Sequence, residues 1–329
     1  MQADGEFDLI ARYFQRPSPD RMLGVGDDCA LMPLSAGCEL AVSTDMLVEG
    51  RHFLPDADPA ALGHKALAVN LSDLAAMGAR PLACTLALSL PAVDHAWLAA
   101  FSEGFHALAR ESQCPLVGGD TTRSDAGIVL SVTVLGEVRR SHALRRAAGR
   151  VGDDVWVSGT LGAADLALRL VLGQLPPDPE RLRATRPALD TPMPRLQLGR
   201  YLAGIAHAAI DISDGLLQDF GHILKASQCG AELWVDALPA HPALMGLDES
   251  LRREAMLSGG DVYELCFTAQ PLRREQIQAL GRQLNVPVTR VGTLVRGEGI
   301  RVLDDEGYAV RTGRQGFDHF AEAPSGGIE

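Results

Sequence analysis

Lysine is nearly absent from this sequence: only Lys65 and Lys225 stand among its 30 basic residues. Neither lysine follows a glycine, so the phosphate loop G-x-x-x-x-G-K-[ST] is missing, and so is the motif set of protein kinases. Any phosphate binding must therefore use other groups. The chain also lacks an excess of positive charge, because 42 acidic residues give a net charge of −12. This balance argues against nucleic acid as a general partner.

Paired cysteines and long apolar runs are missing as well. The six cysteines include no C-x-x-C pair, which argues against a zinc site and against a disulfide framework. The longest apolar stretch, residues 82–93, is too short to span a bilayer and is interrupted by polar residues and a proline. The first residues lack the basic and apolar regions of a signal peptide. These absences predict a cytoplasmic protein without a membrane segment.

Strand-like and helix-like segments alternate along the chain, which favours an α/β or α+β fold. With 329 residues, of which 47% are hydrophobic, the chain is long enough for two domains with separate cores. Residues 139–150 hold five arginines and few core residues, so we place the domain boundary there. One domain is expected over 1–140 and the other over 150–329. The proline-rich stretch 176–194 is interpreted as an exposed crossover.

Aspartates recur where predicted strands end, beside glycine or hydroxyl residues. The aspartates of these clusters are Asp27, Asp28, Asp45, Asp120, Asp211, Asp214 and Asp261. Any single cluster is compatible with an ordinary turn, because Asp, Gly and Ser are common turn residues. Five clusters after apolar strands favour a shared site, because ligands of α/β sheets bind at strand ends.

Asp73 stands inside a predicted helix, residues 59–77, that is apolar on nearly every side. It shares one helix face with Asn70, three residues earlier. A buried carboxylate is costly unless it is paired or binds a metal. We therefore expect Asp73 to be a site carboxylate, with a structural salt bridge to Arg80 or Lys65 as the alternative.

Carboxylates gathered in one place repel each other unless cations lie between them. Oxygen ligands suit Mg²⁺, which keeps waters and bridges to substrate phosphates. Bound metals then let an acidic protein hold a polyanion such as ATP. Zinc is a poor fit, because cysteines and histidines are not clustered. His52, taken alone, is compatible with an ordinary loop histidine.

Several motifs follow one another from end to end of the chain. They are Gly5-Glu6-Phe7, Gly24-x-Gly26-Asp27-Asp28, Ser43-Thr44-Asp45, His52-Phe53, Asn70-x-Ser72-Asp73, Gly118-Gly119-Asp120-Thr121-Thr122, Asp211-x-Ser213-Asp214-Gly215, Ser258-Gly259-Gly260 and Phe317-Asp318-His319-Phe320. Together they resemble the motifs of the thiamine-monophosphate kinases, within the aminoimidazole-ribonucleotide-synthetase-like superfamily. Three of these motifs favour the kinases over other members of the superfamily. They are the opening Gly-Glu-Phe, the Ser-Thr-Asp motif with the His-Phe that follows it, and the closing Phe-Asp-His-Phe.

The resemblance implies a two-domain α/β fold whose N-terminal domains pair in a homodimer, with ATP and several Mg²⁺ in a cleft. It implies ATP-dependent phosphorylation of thiamine monophosphate to thiamine diphosphate, the last step in making that product, by direct in-line transfer without a general base. By motif position, metal binding falls to Asp27, Asp28, Ser43, Thr44, Asp45, Asp73, Asp120, Asp211 and Asp214. ATP contacts fall to Gly119, Asp120, Arg146 and Ser213, and thiamine phosphate contacts fall to His52, Asp261 and Phe317.

One position departs from the family pattern. Val262 stands where the pattern Ser-Gly-Gly-Glu/Asp-Asp-Tyr-Glu-Leu has its second acid, so affinity or turnover should be reduced if that acid orders the loop or contacts substrate. Two other interpretations stay open. One is another superfamily member, such as aminoimidazole ribonucleotide synthetase or selenophosphate synthetase, although the latter expects a reactive Cys before the Gly-Asp-Asp motif and the first here is Cys29. The other is a non-catalytic protein that binds a nucleotide or thiamine phosphate.

Overall fold

A computed structural model of the chain describes residues 5–26 and 28–311, without the side chains of Glu6 and Phe7. Its N-terminal part contains, in order, α1 (Glu6–Leu9) continued by a π-helical turn (Ile10–Phe14), β1 (Cys38–Val48), α2 (Pro59–Ala76), β2 (Arg80–Leu90), α3 (His95–Glu111), β3 (Leu116–Arg123) and β4 (Val129–Arg139). The four strands form one sheet in the order β1-β4-β2-β3. Only the β2–β3 pair is parallel.

The two faces of this sheet differ. One face packs on α2 and α3, where Leu71 and Phe101 share a core with Leu86 and Val132 of the sheet. The other, which we call the outer face, carries the alternate β1 residues Leu40, Val42, Thr44 and Met46. All four are exposed, although three of them are large hydrophobic residues.

The C-terminal part holds β5 (Asp154–Ser158), α4 (Ala163–Val171), α5 (Pro179–Asp190), α6 (Leu196–Leu202), β6 (Ala208–Asp211), α7 (Leu216–Ser227), β7 (Gly230–Trp234), α8 (Glu249–Ser258), β8 (Leu265–Ala269), α9 (Arg274–Leu284), β9 (Val288–Val295) and β10 (Ile300–Leu303). Its six strands are ordered β10-β7-β9-β5-β8-β6, which places β6 at one edge. The predicted mixed α/β class is confirmed. Within the described ranges, no helix is long and apolar enough to cross a membrane.

Helix α2 joins the two parts. Its last turn, with Ala75, shares a hydrophobic cluster with Leu198 and Leu202 of α6 and with Phe267 of β8. Gly199 permits this contact, because a Cβ there would lie 1.9 Å from the carbonyl oxygen of Ala75. The same helix therefore packs on the N-terminal sheet and reaches the end of β6.

Two local expectations are wrong. The stretch 176–194 is not exposed throughout, because α5 occupies most of it and buries Thr185 and Leu189; Asp178 caps its N-terminus through the Arg181 N–H, and Pro179 takes the first helical position. The segments 43–45 and 118–120 are not strand ends. They lie inside β1 and β3, where pairing with β4 and β2 extends the strands through polar residues.

Candidate active site

A cavity of about 530 Å³ lies where the two parts of the chain meet. We call it the junction cavity. Its wall includes Asp45, His52, Asp73, Asp165, Arg169, Asp211, Ser213, Asp214, Asp261 and Tyr263. Its central carboxylates are Asp45 of β1, Asp73 of α2, Asp211 at the end of β6 and Asp214 in the turn that follows. The cavity thus collects predicted site residues that are widely separated along the chain.

Strand alternation directs Ser43 and Asp45 towards α2. The Ser43 hydroxyl donates to an oxygen of Asp73 at 2.5 Å, and the Asp45 N–H donates to Asn70 Oδ1 at 2.9 Å. The i, i+3 face predicted for α2 is therefore the face that meets β1. Thr44 points the other way, to the outer face, where its hydroxyl shares a hydrogen bond with Thr133.

Asp73 does not form the structural salt bridge considered as the alternative. The Lys65 ammonium pairs with Asp261 at 3.0 Å, and Arg80 pairs with Glu137 at 2.7 Å. In the described part of the chain, no lysine or arginine forms an ion pair with Asp73. Its hydrogen-bond partner is the uncharged Ser43 hydroxyl.

A hydrogen bond across the two domains brings Asp211 to the same place. Asp211 is the last residue of β6, and its Oδ2 accepts the Ser72 hydroxyl at 2.7 Å; both side chains are buried. Because Ser72 and Asp73 are adjacent in α2, the Asp73 and Asp211 carboxylates become neighbours.

Burial and mutual repulsion hold these carboxyl groups closer to their protonated forms. Burial raises the pKa of Asp211 to about 7, and the charge of Asp73 adds to the effect. Burial raises the pKa of Asp45 to about 6, again with help from Asp73 and then from Asp214. Burial also raises the pKa of Asp73, against the lowering effects of the Ser43 hydrogen bond and the Arg146 charge. Such shifts mark acidic groups that are crowded together in a partly buried site.

These donors fit Mg²⁺. They are hard oxygen ligands, and Asp45, Asp73 and Asp211 form no ion pair with a side-chain cation among residues 5–26 and 28–311. In the same ranges, no group of three or more His, Cys, Asp or Glu side chains is placed to hold a metal ion. Mg²⁺ does not require one, because it is usually held by one or two carboxylates together with waters and substrate phosphates.

The turn after β6 carries Ser213 and Asp214. Its three successive backbone N–H groups, at 213, 214 and 215, donate to Oδ2 of Asp219 at 2.9, 2.9 and 3.1 Å. Asp214 Oδ2 also accepts Gln218 Nε2 at 3.0 Å. Sequence reasoning did not single out Asp219, and its place four residues after Gly215 was the only available signal.

Asp261 faces the cavity from a tightly folded loop. Both Asp261 and Tyr263 have positive φ, 57° and 53°, and their backbone N–H groups donate to Ser213 and Ile212 carbonyl oxygens. The Asp261 carboxylate accepts the Tyr263 hydroxyl at 2.9 Å beside its ion pair with Lys65. This pair joins α2 to the C-terminal domain, and sequence reasoning missed it.

A second cavity, of about 490 Å³, lies at the β3 edge of the N-terminal sheet. We call it the edge cavity. It is lined by Ile10, Phe14, Val25, Asp28, Leu86, Gly119 and Asp120, among others. Asp120 lies in one row with Ala87, Ser131 and Met46, three strand spacings from β1. At about 4.8 Å per strand this is roughly 14 Å.

The predicted site residues therefore fall into two groups. Directly paired residues point to the same side of a sheet, so Asp120 shares the outer face with Met46, whereas Asp45 faces α2. Asp28 and Asp120 are both exposed. Within one chain, the described structure does not bring them into the junction cavity. Arg146 lines neither cavity, although its charge acts on Asp73.

Comparison with known proteins adds to this geometry. The family model described as AIR synthase related protein, N-terminal domain, matches residues 26–138, and the corresponding C-terminal domain matches residues 150–305. A thiamine-monophosphate kinase from Salmonella typhimurium is 46% identical over 330 residues, covering 97% of this chain and 99% of that protein. The chain belongs to the thiamine-monophosphate kinase family.

Solved structures show the same relationship. The crystal structure of thiamine-monophosphate kinase from Stenotrophomonas maltophilia is 46% identical and superposes with a TM-score of 0.82, over 88% of this chain and 93% of that one. A solved complex, AaThiL with AMPPCP and TMP, is 30% identical, with a TM-score of 0.76 over 88% and 89%. The family and the two-domain fold expected from the motifs are confirmed.

The structure locates Val262 and His52, two positions singled out in the sequence. Val262 packs partly buried against the C-terminal hydrophobic core and does not line the junction cavity, in contrast to Asp261 and Tyr263 on either side of it. His52 lines the cavity, and its Nδ1 accepts the Val48 N–H at 3.0 Å. The assignments to Asp27 and Phe317 lie outside the described residues.

Proposed function

We propose that this chain phosphorylates thiamine monophosphate with ATP, giving thiamine diphosphate, at the junction cavity. The observation that carries the proposal is the meeting of Asp45, Asp73 and Asp211, from both domains, in one cavity, where none of the three forms an ion pair with a lysine or arginine of the described residues. The family relationship supports the substrate, since relatives covering nearly the whole chain are thiamine-monophosphate kinases.

The reaction needs little acid–base chemistry from the protein. A phosphate monoester loses its second proton near pH ~6, so the acceptor phosphate is mostly ionised at neutral pH. Direct in-line attack on the γ-phosphorus then requires alignment and relief of charge repulsion, rather than a general base. A cavity lined by carboxylates would repel both anionic substrates, so the proposal includes Mg²⁺.

Asp45, Asp73, Asp211 and Asp214 are the residues proposed to hold Mg²⁺ in the junction cavity. Bound Mg²⁺ would supply positive charge to the transferring phosphoryl group. The chain's own hydroxyl groups prepare the donors: Ser43 orients Asp73, and Ser72 orients Asp211. The first bond joins β1 to α2 and the second joins the two domains, so both hold the carboxylates in place before substrate arrives.

Substrate contacts are proposed for both cavities. Ser213 and Arg146 are proposed to contact ATP near the carboxylates, and His52 and Asp261 to contact thiamine phosphate. Gly119 is proposed to contact ATP through its bare backbone. Its φ is 155°, and a Cβ there would lie 1.9 Å from the carbonyl oxygen of Leu86. Position 119 therefore excludes a side chain, which leaves its backbone uncovered.

We further propose a homodimer that completes the site. Asp28 and Asp120 point away from the junction cavity of their own chain, so one copy alone cannot use all the assigned residues together. Leu40, Val42 and Met46 leave an apolar strip on the outer face, with exposures of 47%, 56% and 56%. Pairing of two outer faces would bury this strip and carry Asp120 towards the partner's carboxylates.

The direct test is product formation. Purified protein is incubated with ATP, Mg²⁺ and thiamine monophosphate, and thiamine diphosphate and ADP are quantified by chromatography. The proposal expects both products only when all three components are present. Binding of thiamine monophosphate without ADP release would instead favour the non-catalytic alternative.

Complementation tests the composite site. Asp120→Asn and Asp211→Asn are each expected to be inactive alone. In a mixed dimer one site receives both substitutions and the other receives none, so co-expression should restore roughly a quarter of wild-type activity. No recovery, in dimers shown to contain both chains, would place all the residues in one protomer.

A further inference from the structure

We propose that Asp219 is a positioning residue for the turn that presents Ser213 and Asp214 to the junction cavity. The inference rests on the proposed function, because it assigns a task to a residue behind the metal-binding and ATP-binding groups. Asp219 itself does not line that cavity. Its carboxylate acts through the backbone of its neighbours.

The bonding of Asp219 is unusual for a buried acid. Its side chain is only 4% exposed, and one oxygen atom, Oδ2, receives three successive backbone N–H groups. Among the residues the structure describes, Asp219 has no ion pair with a lysine or arginine. The N–H dipoles at the start of α7 favour the ionised carboxylate and offset part of the cost of its burial.

These three bonds restrict the turn from one side. From the other side, Gly215 fits against the end of α8, where a Cβ would lie 2.8 Å from the Ser258 backbone; its φ is 129°. The Ser213 carbonyl oxygen also accepts the Asp261 N–H at 2.8 Å. The turn is held between α8, the Asp261 loop and Asp219, and only the last contact depends on one removable side chain.

The functional consequence follows from the position of the turn. A carboxylate that must help to hold Mg²⁺ loses effectiveness when its backbone shifts by about 1 Å. Without Asp219, three N–H groups lose their acceptor in a mostly buried turn, so they would rotate towards other partners. Asp214 and Ser213 would move with them, whereas Asp45, Asp73 and His52 sit on other elements.

The experiment compares Asp219→Asn and Asp219→Ala with Asp153→Asn. Asparagine keeps the shape but is a weaker acceptor, and alanine removes the acceptor entirely. Asp153 is a matched control, because it is 3% exposed, accepts the Arg150 N–H and bonds His207, yet lines neither cavity. A purely structural role for Asp219 predicts that both sites behave alike, with a lower melting temperature and nothing more.

The kinetic readout separates the roles. Asp219→Asn is expected to raise the Mg²⁺ concentration for half-maximal activity about tenfold, while the KM for thiamine monophosphate stays within about twofold. Asp153→Asn should change neither. An unchanged Mg²⁺ requirement in folded Asp219→Asn, or an equal change in Asp153→Asn, would overturn the proposal.

A second readout needs no turnover. Hydrogen–deuterium exchange of the metal-free protein should show slow amides at 213–215, and exchange should speed up at least about tenfold in Asp219→Asn. If the wild-type protein made no thiamine diphosphate, the proposed function would fail while this measurement still tested the anchoring. Unchanged exchange in the variant would overturn the inference even in an active enzyme.

Discussion

The junction cavity and the edge cavity both contain aspartates predicted to bind metal, but they are built differently. In the junction cavity the carboxylates are at least partly buried, and side chains from both domains bond them, as Ser72 bonds Asp211. In the edge cavity Asp28 and Asp120 are exposed and stand at a sheet edge. Contacts within one chain hold the carboxylates of the junction cavity in place, whereas those of the edge cavity lie on an open surface.

The difference shows that motifs found along one chain need not come together in a single site of that chain. Sheet register places Asp120 and Asp45 at nearly the same level but on opposite faces and at opposite edges. A second copy that pairs through the outer face reconciles the two cavities. The following variants test or refine the contrast.

The largest effect is expected from Asp45→Asn and Asp211→Asn in the junction cavity. Each should lower kcat at least about 1,000-fold, because a ligand for the charge-neutralising metal is lost while the shape is kept. Melting curves should show an intact fold. The exposed Asp305→Asn variant is the control, and wild-type-like rates in either folded site variant would contradict this role for the junction cavity.

Mg²⁺ should stabilise the protein more at high pH than at low pH. The pKa values of Asp45 and Asp211, about 6 and about 7, lie above the ordinary value of 3.8, so the folded state holds extra protons across that window. The contribution of these two groups to the stability of the metal-free protein therefore falls as pH rises from about 4 to about 7.

Added Mg²⁺ favours the ionised carboxylates, so its effect on the melting temperature should be small near about pH 5 and large near about pH 8. Thermal melts with and without Mg²⁺ measure this difference. Equal shifts at both pH values would mean that these carboxylates do not bind the metal.

A smaller effect is expected from Lys65→Met. Loss of the ammonium frees the Asp261 carboxylate in its left-handed loop, so the KM for thiamine monophosphate should rise about tenfold while the KM for ATP stays within about twofold. The chain offers a matched control in Lys225→Met, since Lys225 is exposed and lines neither the junction nor the edge cavity. Equal effects on both KM values would point to general loosening of the domain junction.

The smallest change in activity is expected from Val262→Asp, which restores the family acid. Since Val262 packs on the C-terminal core, kcat/KM should stay within about threefold while the free energy of unfolding falls by about 1–2 kcal/mol. Steady-state kinetics and denaturant titration check both parts. A gain of tenfold or more in kcat/KM would show that the missing acid acts on substrate after all.

Local signals predicted much of the secondary structure. Helix α2 begins at Pro59, the first residue of the predicted helix 59–77, and Asp58 caps its N-terminus. Helix α5 was missed, although Asp178-Pro179 is the same kind of start signal as Asp58-Pro59, because the proline-rich stretch favoured an exposed crossover. Helix α8 was missed as well.

The site was predictable as a set of residues but not as an arrangement. Asp73 stood out because a lone acid in an apolar helix needs an explanation, and its approach to Ser43 and Asp211 supplies one. No short sequence pattern indicated that Lys65 would pair with Asp261, because the two residues come from different domains. Nor did one indicate that Asp219 would accept the N–H groups of residues 213–215, because that contact depends on how the turn folds back onto α7.

The amino-acid sequence determined the chemistry available: acidic side chains in glycine-rich and hydroxyl-rich settings, almost no lysine, and an apolar helix with one acid. These properties belong to residues and short segments, so they can be read before folding. Tertiary structure decided which groups meet. Ser72 and Asp211 are 139 residues apart, and Asp120 is separated from Asp45 by sheet order, because strand register and helix packing, rather than neighbourhood along the chain, set those distances.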